Sequence, residues 1–162
     1  MEKVFEVYIR TTPQRLWEAI TDSDMRRQYC FGLAVSSEWT PGSRYEQSGP
    51  DGTGVFAEGE NLEVEPPRRL VQTMVPLWSE EIKREGPSRI TWEIEQRGEL
   101  CRLTVTHDEL REDAHGELYG GWPMILSSLK SLLETGESLN IQIPDEALAG
   151  FDEAGGAAET AA

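Results

Sequence analysis

The sequence predicts an α+β fold, in which a mostly antiparallel sheet carries its helices on one face. Three observations support this class. Every second residue of Val4–Arg10 faces the same side in a clear polar and apolar alternation, which is typical of a half-buried strand. Residues 33–107 contain further short alternating segments separated by Gly and Pro turn signals. Residues 122–136 carry leucines at helical spacing, and such segregated elements indicate an α+β architecture.

Two short helices are predicted directly after the first strand. Thr12 supplies a hydroxyl N-cap, and Pro13 suits the first helical turn because its missing N–H would have no partner there. Apolar residues then recur at helical spacing up to Ile20, so we expect this helix to end near Thr21. Asp24–Cys30 predicts a second short helix.

Six further strands are expected in the middle of the chain, which brings the sheet to seven. Their predicted ranges are Leu33–Glu38, Ser43–Gln47, Val55–Glu65, Leu70–Pro76, Ser88–Gln96 and Cys101–His107. The turn signals between them include residues 40–42, 50–54 and 97–99. The polar segment Trp78–Pro87 is predicted to be a loop.

A longer helix is predicted to close the domain. Pro123 fits its first turn, and Gly136 is a suitable C-terminal stop. The apolar residues at helical spacing are Trp122, Ile125, Leu126, Leu129, Leu132 and Leu133. We expect one domain over residues 1–143, followed by an acidic, Ala- and Gly-rich disordered tail over residues 144–162.

Composition excludes several classes of function. The formal net charge of −15 argues against a nucleic-acid partner, because such proteins usually present a basic face to the phosphates. No apolar run approaches the roughly 20 residues that a membrane-spanning helix needs. Cys30 and Cys101 are isolated, which favours buried thiols over a disulfide framework. With no signal peptide evident, a cytoplasmic location is expected.

The order of motifs resembles the START-like (SRPBCC) helix-grip superfamily, specifically the group named after homology to the activator of the heat-shock-protein-90 ATPase. The matching segments are Thr12–Thr21, Asp51–Gly59, Val64–Val71, Pro87–Ile94, Leu103–His107 and Gly121–Gly136. Each motif is weak alone, but their order from about Val4 to Gly136 is specific.

This resemblance implies a seven-stranded antiparallel sheet that is curved around a long C-terminal helix and encloses a hydrophobic cavity. It also implies lipid-like or aromatic ligands in some members, cyclisation in distant ones and chaperone ATPase stimulation in the eponymous ones. Many relatives carry a tryptophan after the second short helix, where this chain has Gln28–Phe31. The cavity mouth is therefore expected to differ in shape and polarity.

The candidate ligand-binding residues are mainly aromatic, because aromatic-lined concave pockets commonly bind small molecules. They are Trp17, Tyr29, Phe31, Tyr45, Phe56, Met74, Trp78, Trp92, Leu103, His107, Tyr119, Trp122 and Leu126. Simple core packing is the alternative explanation for most of them. Trp78 and Tyr29 are expected to border the opening, since they lie in or beside loops.

His107 is the candidate for chemistry. It shares a strand face with Leu103 and Val105, so it could act as a general base or anchor a ligand. The alternative is a structural histidine that is hydrogen-bonded near the start of the last helix. Cys30, Cys101, His107 and His115 lack the close spacing of zinc ligands, so neither a metal nor another cofactor is expected.

Three functions therefore remain open. The leading hypothesis is a non-catalytic carrier or sensor of a small hydrophobic or aromatic molecule. The second is an enzyme, such as a cyclase, dehydratase or hydrolase, that uses His107 as acid or base, helped by Tyr29 or Tyr119. The third is an interaction module that stimulates a chaperone ATPase. The chain is expected to be a monomer or a homodimer.

Overall fold

The computed structural model describes residues 1–50 and 54–143. Seven strands form one antiparallel sheet. They are β1 Lys3–Ile9, β2 Ala34–Ser37, β3 Arg44–Ser48, β4 Val55–Glu65, β5 Arg69–Pro76, β6 Ser88–Arg97 and β7 Leu100–Asp108. The predicted tail over residues 144–162 lies outside the described residues, as do residues 51–53 of the predicted turn.

Sequence neighbours pair in the sheet, except that the first strand joins the last. The order is β1-β7-β6-β5-β4-β3-β2, and every neighbouring pair is antiparallel. Register irregularities between Asn61 and Glu63 in β4 and between Gln47 and Ser48 in β3 bend these strands. The result is the curved sheet and α+β class that the sequence predicts.

The helices agree closely with the sequence patterns. They are α1 Pro13–Thr21, α2 Ser23–Tyr29, α3 Glu80–Lys83 and α4 Trp122–Thr135. Thr12 caps α1 by accepting a hydrogen bond from the Arg15 N–H at 3.2 Å, as its hydroxyl predicts. Gly136 ends α4 in the left-handed conformation at φ 86°, which glycine adopts without steric cost.

The loop prediction over Trp78–Pro87 is wrong in part, because this segment contains the helical turn α3. Ser79 caps it by accepting a hydrogen bond from the Ile82 N–H at 3.1 Å. The Ile82 side chain is fully buried. A four-residue helix with one apolar side chain is too short to show a helical period, so the turn depends on tertiary packing that sequence patterns do not record.

The core lies between one face of the sheet and the helices. β7 turns Cys101, Leu103, Val105 and His107 inward, and all four are buried. The α4 helix contacts β1 and α2, and its inward face buries Trp122, Leu126, Leu129 and Leu132. At the α2 end of this core the side chains leave an open space.

Candidate functional site

A cavity of about 430 Å³ lies among the inner face of the sheet, α2 and the start of α4. Its walls come from α2 and the residues after it, from β3 to β6, and from the segment that leads into α4. This volume falls within the range of small-molecule sites in proteins. Strands β3 to β6, α2 and the start of α4 therefore border a space of ligand size beside the core.

Six of the thirteen candidate residues line this cavity. They are Phe31, Tyr45, Phe56, Met74, Trp78 and Trp122. The rings of Phe56 and Trp78 stack with centroids 4.7 Å apart and an interplanar angle of 12°. These side chains form a largely aromatic wall.

The other seven candidates are not among the described lining residues. They are Trp17, Tyr29, Trp92, Leu103, His107, Tyr119 and Leu126. The prediction that Tyr29 borders the opening is wrong, because Tyr29 is fully buried and its hydroxyl donates to the Ala19 carbonyl at 2.8 Å. Helix α2 turns this ring into the core. Trp78, in contrast, lines the cavity and is 8% exposed.

His107 lies behind the cavity wall. It is fully buried, with Nε2 2.8 Å from the Ser88 hydroxyl and Nδ1 accepting from the indole of Trp122 at 3.3 Å. Burial lowers the pKa of His107 to about 4, against a smaller opposing effect of Asp108. Both ring nitrogens are occupied, and the Trp122 ring lies edge to face with the imidazole at 6.4 Å between centroids. This geometry favours the structural histidine bonded near the helix start.

Trp92 is held just outside the cavity by a polar network. Its indole N–H donates to the Gln72 side-chain oxygen at 3.2 Å, and the Gln72 amide donates to Asn61 at 2.9 Å. Its ring meets that of Trp122 edge to face at 5.2 Å between centroids. The strand alternation correctly predicts that Trp92 faces the core. In the structure its side chain packs against the lining residues Gln72 and Trp122 and is not itself among the described lining residues.

The polar residues of the wall were missed by sequence reasoning. Arg26, Gln47, Gln72 and Glu117 line the cavity, and Arg26 is only 3% exposed. The one available signal is spacing, because Arg26 lies three residues before the buried Tyr29 and so shares its helix face. The adjacent Arg27 is exposed and pairs with Asp24 at the surface, although it too lies three residues before a buried side chain, Cys30.

Arg26 carries a positive charge among groups that are neutral at neutral pH. Burial raises the pKa of the Cys30 thiol and of the Tyr29 and Tyr45 phenols, although Arg26 lowers them in part. The guanidinium itself stays protonated in proteins. The inner wall therefore combines an aromatic surface with one fixed cation.

The described residues contain no group of three or more His, Cys, Asp or Glu side chains that could hold a metal ion. In the same part of the chain, no helix is long and apolar enough to cross a membrane.

Comparison with known protein families and solved structures identifies the same fold. The family model described as "Activator of Hsp90 ATPase homolog 1-like protein" matches residues 10–134, which is most of the chain. The chain belongs to this family. No curated protein sequence matches the chain.

Solved structures of the same fold come from several sources. The protein MLL2253 from Mesorhizobium loti is 26% identical, with a TM-score of 0.69 over 82% of this chain and 96% of that one. The Aha1 dimer from Colwellia psychrerythraea is 18% identical, with a TM-score of 0.69 over 85% and 99% of the two chains. DynU16, from the dynemicin biosynthetic locus, is 24% identical, with a TM-score of 0.70 over 86% of this chain and 49% of that one.

Proposed function

We propose that this family member binds a small hydrophobic or aromatic molecule in its cavity and acts as a non-catalytic carrier or sensor in the cytoplasm. The observation that carries the proposal is the cavity of about 430 Å³ with its aromatic wall. Apolar walls with a few polar groups are typical of sites that bind small molecules. The two buried free cysteines, Cys30 and Cys101, are compatible with a reducing compartment.

The chemistry of the lining favours binding over catalysis. Cys30 is the thiol among the described lining residues, and burial raises the pKa of this group, which disfavours the reactive thiolate. The Tyr45 hydroxyl is occupied, since it donates to the Thr73 carbonyl at 2.6 Å. His107 lies behind the wall, so its assignment as acid or base has no geometric support.

Titration of the purified chain with 2-naphthamide, a neutral aromatic probe, tests the proposal. We expect saturable binding by calorimetry, accompanied by a change in tryptophan fluorescence as the probe contacts Trp78 and Trp122. Native mass spectrometry of gently purified protein should also detect a co-purified small molecule. A chain that neither binds the probe nor retains any small molecule would contradict the proposal.

A matched pair of variants locates the binding. Phe56→Leu removes the ring that stacks on Trp78 and should weaken the binding of 2-naphthamide about three- to tenfold. Phe5→Leu makes the same change on β1, away from the described lining, and should leave the affinity unchanged. Equal effects of the two variants would place the probe elsewhere.

The family description supports a second candidate, the stimulation of a chaperone ATPase. Adding the purified chain to Hsp90 and measuring ATP hydrolysis tests it. A rise in the rate that Phe56→Leu does not change would favour a protein-interaction function independent of the cavity. Because one relative is described as a dimer, sedimentation velocity should accompany this assay to distinguish monomer from homodimer.

A further inference from the structure

Arg26 is a buried cation at the cavity. It lies on α2, lines the cavity and is 3% exposed. The side chain of the neighbouring Arg27 shows the usual environment of an arginine, because it is half exposed and forms an ion pair with Asp24 at the surface. Charged side chains are rarely buried without a partner of opposite charge, because removing a charge from water is costly.

The contacts of Arg26 satisfy only part of its hydrogen-bonding capacity. Nη1 donates to the Ile20 carbonyl at 2.5 Å, and the side chain also hydrogen-bonds to the side chains of Tyr29 and Cys30. The guanidinium lies 5.0 Å from the centre of the Trp92 ring. The buried Nε has no hydrogen-bond partner in the described structure. A guanidinium has five N–H donors and cannot lose its charge in proteins, so this cavity-lining side chain keeps a donor that has no partner among the described residues.

No carboxylate of the described residues forms an ion pair with Arg26. The groups that interact electrostatically with it are Tyr29, Cys30 and Tyr45, which are uncharged at neutral pH. Glu117 also lines the cavity, but its half-exposed carboxylate lies beside the His115 ring at 3.5 Å. The charge of Arg26 is therefore uncompensated by the described part of the chain.

We propose that the cavity binds an ionised monocarboxylate whose apolar body contacts the aromatic wall and whose carboxylate accepts hydrogen bonds from Arg26. This inference rests on the proposed binding function and names its ligand class. A carboxylate supplies both the missing charge and acceptors for the planar guanidinium fork, whereas a neutral ligand leaves the buried charge unpaired. Aromatic and aliphatic acids both carry such a carboxylate. Which of them binds more tightly depends on how well the apolar part of the ligand fits the cavity walls.

Two matched pairs of probes test the ligand class at pH 7.5. These are 2-naphthoate against 2-naphthamide, and decanoate against decanamide, each titrated by calorimetry into the full chain. We expect the better-fitting acid to bind at least about tenfold more tightly than its amide, because its hydrogen bond involves two charged groups. The favoured pair then shows whether an aromatic or an aliphatic body suits the cavity.

Variants assign the preference to one side chain. Arg26→Gln should abolish the preference for the acid, so that acid and amide bind with equal affinity within about twofold. Arg26→Lys should retain part of the preference for the acid. The lysine keeps the positive charge but cannot donate the two parallel hydrogen bonds of a guanidinium. Arg27→Gln is the matched control and should behave like the unmodified chain, since its side chain faces solvent.

Each outcome of these titrations is decisive. Equal affinities for acid and amide in the unmodified chain would overturn the carboxylate proposal while leaving the carrier function supported. An acid preference that persists in Arg26→Gln would also overturn it. Binding of neither member of either pair would contradict the carrier function itself. If Arg26→Gln fails to fold, the Nε–H resonance of Arg26 in the unmodified chain should shift with 2-naphthoate and remain unchanged with 2-naphthamide.

Discussion

The indole Nε1 of Trp122 donates a hydrogen bond to Nδ1 of His107 at 3.3 Å, which joins the first residue of α4 to strand β7. An indole can only donate, so Nδ1 carries no proton. The Nε2 atom then carries the hydrogen and donates to the Ser88 hydroxyl at 2.8 Å. Both nitrogens of the neutral imidazole therefore have a hydrogen-bond partner. A second proton, on Nδ1, would remove the acceptor of the Trp122 indole.

This arrangement predicts an acid-sensitive fold. The pKa of His107 is about 4 in the folded chain, against an unfolded value near 6.5. Between these values the unfolded chain binds more protons, so stability is fully present above about pH 6.5 and is lost as pH falls. We expect this group to contribute a loss of about 2 kcal/mol between pH 7.5 and pH 5. Urea denaturation at the two pH values measures it.

Replacing each histidine in turn isolates the contribution. His107→Gln should reduce the loss of stability between pH 7.5 and pH 5, because the titrating group is gone. His115→Gln removes the other histidine from a partly exposed position and should retain the full loss. If both variants lose the same stability on acidification, other groups cause the acid sensitivity.

The Trp122→Phe variant tests the role of the indole. It removes the donor to Nδ1 but keeps an aromatic ring over His107. With that atom free to accept a proton, the pKa of His107 should rise. Titration of its ring resonances by NMR measures this change. An unchanged pKa would show that burial alone keeps the ring neutral.

Gln72 should be required for the stability of the cavity wall. Its side chain accepts from Trp92 at 3.2 Å and donates to Asn61 at 2.9 Å, and all three residues are buried. Gln72→Leu would leave both partners unsatisfied, and we expect it to cost about 3 kcal/mol of unfolding free energy in urea denaturation. Gln96→Leu, on an exposed position of β6, should change stability by less than about 0.5 kcal/mol.

Gly59 should tolerate no side chain. A Cβ at this position of β4 would overlap the Thr73 carbonyl oxygen and lie 2.7 Å from Cε1 of Tyr45. We expect Gly59→Ala to cost about 3 kcal/mol or more, because backbone and ring must both move. It should also weaken 2-naphthamide binding, since Tyr45 lines the cavity.

The control for this prediction is Gly116→Ala. A Cβ there meets nothing within 4 Å, so thermal unfolding should change little. Equal changes in the unfolding temperature for the two alanines would contradict a cost that is specific to the close approach at Gly59.

Local patterns in the sequence predict most of the secondary structure for a direct reason. A strand with one buried face must alternate, as β1 and β7 do, and a helix such as α4 must repeat its apolar residues every three or four positions. These periods can be read from the sequence without knowing which strands or helices pack against the element. The α3 turn, with one buried residue, has no period and was missed.

The sequence by itself therefore determined the antiparallel sheet with its terminal helix, and the family resemblance placed an aromatic-rich cavity between them. Only the tertiary structure decided which inward side chains line that cavity. Trp92 and His107 point inward as predicted but are bonded to Gln72, Ser88 and Trp122 outside the described lining. The charged residue Arg26, in contrast, lies in the wall. The physical reason is that alternation fixes the face of each residue, while access to the cavity depends on neighbours distant in the chain.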